Sequence, residues 1–275
     1  MESAIARAIG MQLQPVAVLF SDEKPEGAMQ FAERRWGCVM WLLASAAKGR
    51  AACADAATFG CIGGGVGLGF GNQYEKSWPG GIECFYGFLS TGNDGSEHGR
   101  ATADALAAQG WRPEAVEHFR HGEGYVKTPE LTKAFVDALP MTEVPKRYMV
   151  LKPLAEVANG EVPETVIFLV DPDRLAGLVV LANHAGGGNE NVIIPWGAGC
   201  QTIGILPYRE ARSASPRAVV GLTDPSARLY ISKLVGRGLM TFTAPFAMVS
   251  RMEAEVAGSF LERDTWRALL AESAG

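Results

Sequence analysis

Cysteine is the residue type with the most reactive chemistry in this 275-residue chain, and two of its five cysteines stand in glycine-rich surroundings. Cys61 lies inside the run Gly60-Cys61-Ile62-Gly63-Gly64-Gly65-Val66-Gly67-Leu68-Gly69-Phe70-Gly71, and Cys200 stands among Gly197, Gly199 and Gly204. Where neighbours carry no side chains, backbone N–H groups reach the sulfur. Such donors stabilise thiolate charge, whether the thiolate attacks a substrate or ligates iron. Cys38 sits in the apolar stretch Trp36–Ala47, where a cysteine reads as a small buried hydrophobe. For Cys53 and Cys84 a role in packing alone stays open. No two cysteines form Cys-x-x-Cys, which disfavours a zinc ribbon, a thioredoxin-type dithiol and a ferredoxin-type run.

The glycine run itself invites a nucleotide reading, which fails on spacing. No three of its glycines stand at i, i+2 and i+5, and no Gly-Lys-Ser/Thr occurs in the chain. An anion nest of successive N–H groups and a tight packed loop both stay open. His118 and His121, three residues apart, have no third ligand nearby and read as a solvated face. His184 reads as a dipole-complementing residue at a helix C-terminus. A Gly-x-Ser-x-Gly elbow is absent, and Asp224 with Arg228 reads as a structural ion pair one helical turn apart.

The elements that must position these residues follow from pattern. Val16–Phe20, Tyr148–Leu151, Val166–Val170, Asn191–Pro195 and Met240–Thr243 read as strands. Helices are expected over about 26–48, Gly99–Gln109, Pro129–Leu139 with Thr128 as cap, Asp173–Ala185, Tyr230–Val235 and about 250–271. Residues 60–81 read as loop. Two stretches share a grammar of strand, helix, glycine and cysteine. Val16–Phe20 leads to Gly49 and, 12 residues on, Cys61; Val166–Val170 leads to Gly186 and, 14 residues on, Cys200. This is the pattern of a degenerate β-α-β-Cys duplication, with related halves about 11–95 and 146–250, which would bring Cys61 and Cys200 to equivalent places at strand carboxyl ends. The expected fold is α/β, a mixed sheet flanked by helices with a helical insertion near 98–140, in one compact domain over 1–275.

Composition narrows the function classes. Apolar residues make up 48% and charged residues 20%, which excludes a disordered chain. A net charge of −5 offers no footprint for nucleic acid or an anionic membrane. The longest apolar stretch, Trp36–Ala47, is too short to span a bilayer, and the N-terminus lacks a secretory pattern. Five cysteines without such a signal point to reduced thiols and the cytoplasm. Glycine is the excess, 33 residues, nine of them between Gly60 and Gly81.

Several motifs in order carry a resemblance. They are Leu13-x-Pro15-Val16-Ala17-Val18, a cysteine-bearing helix ending Ala47-Lys48-Gly49, Cys61-x-Gly63-Gly64 with Leu68-Gly69-Phe70, Gly122-Glu123-Gly124-Tyr125-Val126-Lys127-Thr128-Pro129-Glu130, Tyr148-x-Val150-x-Lys152-Pro153-Leu154, and Gly199-Cys200. Over roughly residues 11–250 the chain resembles DUF169, a prokaryotic family named as a domain of unknown function. The resemblance implies that Cys38, Cys61 and Cys200 match the family's cysteine pattern, while Cys53 and Cys84 are additional. Three matching cysteines from separate segments suggest an iron–sulfur cluster, [4Fe–4S], with Cys38, Cys61 and Cys200 as metal ligands. Its fourth iron is either open or held by Cys84 or Cys53. Amides of the glycine run, Gly63 and Gly64 among them, would tune the cluster through its sulfides. An open iron favours small-molecule binding, and four thiolates favour electron transfer to a redox partner. The alternatives are a cofactor-free small-molecule-binding protein with a glycine-rich crevice and a protein with Cys61 as a catalytic thiolate. A homo-oligomer is compatible with all three.

Overall fold

The computed structural model describes residues 2–186 and 188–272. The chain forms two compact units, one of Met1–Phe70 with Thr142–Gly275, the other of Gly71–Met141. In chain order the first unit starts with α1 (Ala4–Ala8), β1 (Val16–Ser21), α2 (Val39–Ala47), β2 (Ala52–Ala54) and α3 (Ile62–Leu68). The second unit is helical: α4 (Gln73–Ser77), α5 (Ile82–Leu89), α6 (Glu97–Ala108), α7 (Pro113–His121) and α8 (Pro129–Asp137). The first unit then resumes with β3 (Tyr148–Pro153), β4 (Thr165–Val170), α9 (Pro172–His184), β5 (Val192–Ile193), α10 (Gly199–Ile203), α11 (Ile205–Ala211), β6 (Ala218–Gly221), α12 (Pro225–Val235), β7 (Met240–Pro245), α13 (Phe246–Ala254) and α14 (Asp264–Glu272).

The strands form one sheet in the order β2-β3-β1-β4-β7-β6-β5. All neighbouring strands are antiparallel except β5 with β6, so the sheet is mixed and the fold is α/β. Register places Val18 opposite Leu151 on one side and Thr165 on the other, and Ile167 opposite Thr243. Alternation along each strand then divides the side chains between two faces. One face carries Ala17, Leu19, Cys53, Val150, Val166, Phe168, Phe242 and Ala244, packed with Ile5 of α1 and Ile9 just after it, Leu178 and Leu181 of α9, Met248 and Met252 of α13, and Trp266 of α14. The other carries Val16, Val18, Leu151, Ile167 and Thr243, and α2, α10 and α11 pack on that side of the sheet. The two stretches of matching grammar therefore place their helices differently, α2 in one layer and α9 in the other.

Burial on both faces explains why the central strands read as continuous apolar runs. The fully buried Val16-Ala17-Val18 and Val166-Ile167-Phe168 are the plainest cases. In the second unit, Cys84, Ala103, Leu106, Val116 and Phe119 form a separate small core. Thr128 caps α8 through the Leu131 N–H, with Pro129 at the first helical position, as its sequence signals require.

Three expectations are corrected. The helix expected over about 26–48 is confined to Val39–Ala47, because the segment before it bends through Arg34 at φ 55 and enters the helix only after the buried Gly37. The helix expected from about 250 to 271 is two helices, interrupted around Gly258 at φ 78. The glycine run is not a loop: Ile62–Leu68 is a helix that ends on Gly69 in the left-handed conformation. Each interior glycine costs this helix about 1 kcal/mol relative to alanine, and tight packing against α10 offsets that cost. A Cβ on Gly67 would lie 2.6 Å from the Cys200 carbonyl carbon, and one on Gly204 would lie 2.0 Å from the Gly67 carbonyl oxygen.

Candidate functional site

Each of the three cysteines matched by the resemblance stands at the start of a helix in the first unit. Cys38 is the extended residue that caps α2, and its carbonyl accepts the Trp41 N–H at 2.9 Å. Cys61 caps α3, its Sγ accepting the Gly64 N–H at 3.2 Å. Cys200 is the second residue of α10. The backbone ties these starts together. The Cys61 N–H donates to the Gly37 carbonyl at 3.1 Å, and the Cys200 thiol donates to the Gly63 carbonyl at 3.0 Å. Gly37 has no room for a side chain, since a Cβ there would stand 2.4 Å from the Phe31 ring.

A fourth helix start joins them. Asp224 caps α12, accepting the Ser226 N–H at 2.8 Å and the Gly199 N–H, next to Cys200, at 3.4 Å. Gly199 is the meeting point: a Cβ there would lie 2.7 Å from the Ala227 Cβ of α12 and 3.2 Å from the Met40 Sδ of α2. Helix starts present unpaired N–H groups and the positive end of the helix dipole, so their convergence favours negative charge. The ion pair expected between Asp224 and Arg228 does not form. Arg228 turns its guanidinium to the carbonyls of Leu222 and Leu239, at 3.1 and 3.2 Å.

The thiols feel one another. Burial pushes Cys38 up to about 12, and the charges of Cys61 and Asp224 add to this against the Met40 amide. Cys200, 7% exposed, is driven well above the ordinary thiol range by burial, then by Cys61, Cys38 and Asp224. Burial also raises Cys61, opposed by the amides of Gly64, of Cys61 itself and of Gly63. All three are therefore neutral thiols at pH 7 in the metal-free protein. Each has at least one backbone amide directed at its sulfur, as the glycine-rich setting led one to expect for Cys61. Among the described residues, no group of three or more His, Cys, Asp or Glu side chains stands in position to hold a metal ion.

Cys53 lies in β2 with its side chain in the core of the opposite sheet face, and burial raises its thiol. Cys84 belongs to the core of the second unit, and burial followed by Glu83 raises it. His118 and His121 are more than half exposed beside Glu123, Glu117 and Asp94, on the solvated face expected of them. His184 stands at the end of α9, 3.2 Å from Glu255.

Two features of the site had little signal in sequence. Asp224 announces itself only as a helix cap, through Asp224-Pro225. The aromatic wall beside Cys38 joins Trp36, Trp41 and Tyr230 edge to face, with centroids 5.5–6.1 Å apart. It unites residues from distant segments, and Trp36 is half exposed.

The match to known proteins is at family level. The family model for DUF169, described as "Uncharacterised ArCR", matches residues 4–255. No curated protein and no solved structure matches the chain. With 4–255 of 275 residues inside the match, the chain belongs to the DUF169 family.

Proposed function

We propose that the protein is a cysteine-ligated iron–sulfur protein, holding a [4Fe–4S] cluster through Cys38, Cys61 and Cys200. Its role in this reading is redox or small-molecule binding in the cytoplasm of a prokaryote. Among the described residues no helix is long and apolar enough to cross a membrane. The observation that carries the reading is the gathering of the three thiols, in which the Cys61 charge raises Cys38 and the charges of Cys61 and Cys38 raise Cys200, while a backbone amide points at each sulfur. Three such thiols ionise together only if a cation neutralises them, and soft thiolates select iron–sulfur clusters, Zn or Cu(I). The amides of Gly63 and Gly64 are the donors that would tune such a cluster. Raised thiols lend no support to a catalytic thiolate at Cys61, which needs a depressed pKa.

Anaerobic purification and reconstitution test this directly. Iron and acid-labile sulfide should co-elute with the protein, and its visible absorption should bleach on addition of dithionite. Absence of both elements after reconstitution would refute the reading. A Cys61→Ala variant with a full cluster would remove Cys61 from the ligand set.

A cofactor-free small-molecule site has one observation in its favour, at a place that the glycine run does not line. Met29, Trp41, Ala44, Ser45, Lys48 and Leu234 line an open, largely apolar hollow of about 330 Å³ with a lysine at its edge. That is the low end of the size range for small-molecule sites. This reading expects colourless protein whose thermal midpoint rises with a small apolar carboxylate, and whose Lys48→Ala variant loses the rise.

A further inference from the structure

Cys38 and Cys61 each follow a glycine, and the two glycines share one support. A Cβ on Gly37 would lie 2.4 Å from the Phe31 ring, and one on Gly60 would lie 2.9 Å from the other side of the same ring. The Gly60 Cβ would also stand 2.4 Å from the Gly37 carbonyl oxygen, so the two backbones meet with no side chain between them. That carbonyl accepts the Cys61 N–H at 3.1 Å. In a trans peptide the Gly37 oxygen lies on the Cys38 side, so this hydrogen bond holds the two cysteine Cα atoms roughly 4–7 Å apart. Disulfides span about 4.4–6.8 Å between Cα atoms. Both cysteines are partly exposed, whereas Cys200 is buried with its thiol on the Gly63 carbonyl. Cys53 and Cys84 are buried in two other cores.

We infer that Cys38 and Cys61 are a disulfide-forming pair in the metal-free protein, with a small-molecule disulfide such as glutathione disulfide as the oxidant. This goes beyond the iron–sulfur reading and does not rest on it; within that reading the bond withdraws two of the three ligands at once. One cysteine thiolate attacks a glutathione sulfur, giving a mixed disulfide and releasing one glutathione thiolate. The second cysteine then attacks the cysteine sulfur of the mixed disulfide and displaces the other glutathione. The S–S bond between Cys38 and Cys61 replaces that of the oxidant. Two electrons reduce glutathione disulfide, and the two thiol protons end on two glutathione molecules. Thiols held neutral by burial exchange slowly, so equilibrium rather than rate is the quantity to measure.

The test uses reduced, metal-free, full-length protein held anaerobically in glutathione buffers of stepped redox ratio at pH 8.5 until composition stops changing. Acid quenching, alkylation of the remaining thiols and mass spectrometry then count what is left. The oxidised protein should take up two alkyl groups fewer than the reduced one. Its tryptic fragments Trp36–Lys48 and Ala51–Lys76 should be joined, with Cys53 of the second fragment still alkylated. Dithiothreitol should separate them. Cys61→Ser should keep its four remaining cysteines open to alkylation or glutathione, with no internal bond. Five free thiols at the most oxidising ratio would overturn the pair. So would glutathione held on Cys38 or Cys61 without closure, or a bond from either to Cys53 or Cys200.

Discussion

The Cys200 thiol donates to the Gly63 carbonyl at 3.0 Å, across 137 residues of sequence. That contact joins the two cysteine-bearing helix starts that share glycine-rich settings, and it exists because α3 presents backbone where other helices present side chains. The helix therefore lies so close to α10 that a Cβ on Gly67 would stand 2.6 Å from the Cys200 sulfur. Local preference and tertiary packing thus oppose each other at Gly67, which makes the sign of a substitution informative.

Gly67→Ala should destabilise the protein by about 1–3 kcal/mol, the usual cost of overpacking a close contact. Helix propensity alone would stabilise it by about 1 kcal/mol. Gly95→Ala is the control, since a Cβ there meets nothing within 4 Å. Its urea midpoint should stay within error of the parent. A Gly67→Ala midpoint at or above the parent's would mean that glycine is not needed for the crossing of α3 with α10.

The thiols set a second expectation, on the alkaline side. Burial holds the folded pKa of Cys38, Cys61 and Cys200 above the unfolded value of about 8.5. Above that value the unfolded chain binds fewer protons than the native one, so stability falls as pH rises. The fall should begin near pH 8.5 and continue toward about 12, where Cys38 titrates. Cys61→Ala should move the thiolate absorbance of the remaining pair to lower pH, because the Cys61 charge raises both Cys38 and Cys200. Reduced, metal-free protein with flat stability between pH 8 and 11 would contradict the coupling.

How far these features can be read without coordinates depends on where their causes lie. The strands around Val16–Phe20 and Val166–Val170 are legible because burial on both faces leaves uninterrupted apolar runs. The cap at Thr128 is legible because its partner, the Leu131 N–H, is three residues away. The helix at Ile62–Leu68 is not legible, since what stabilises it is α10, more than 130 residues later in the chain. The same holds for Asp224, whose Asp-Pro signal announces a helix start but not the three thiols around it. Cys53 and Cys84 look alike in sequence and separate only when β2 turns one into the sheet core and α5 carries the other into the second unit.

Glu210 gives an acid-side expectation in the first unit. It is 2% exposed and accepts from Arg217 through Nε, Nη2 and the backbone N–H, and from Arg209. Burial pushes its carboxyl up, but the hydrogen bonds and charge of Arg217, then those of Arg209, outweigh that and hold it below the usual range. A depressed folded pKa contributes stability above the unfolded value of about 4.3 and loses it as pH falls through the folded one. Glu210→Gln should therefore cost about 2 kcal/mol at pH 7, the scale of hydrogen bonds to a charged group. The difference from the parent should shrink below pH 4. A constant difference from pH 7 to pH 3 would exclude the charge as its cause.

In the second unit the corresponding fastener is neutral. The Asn93 side-chain amide donates to the Cys84 carbonyl of α5 at 3.0 Å and to the Phe119 carbonyl of α7 at 2.9 Å, and Asn93 is 8% exposed. One NH₂ group thus joins two helices that share the Cys84–Phe119 core. Asn93→Ala leaves both carbonyls without that donor and should cost about 2 kcal/mol. Asn93→Asp should cost more, because it brings a charged acceptor against the same two carbonyls. Amide hydrogen exchange provides the check: protection should fall in α5 and α7 while β1 and β4 keep theirs. Equal loss of protection in the β1 and β4 amides would show that Asn93 supports the whole chain rather than the second unit alone.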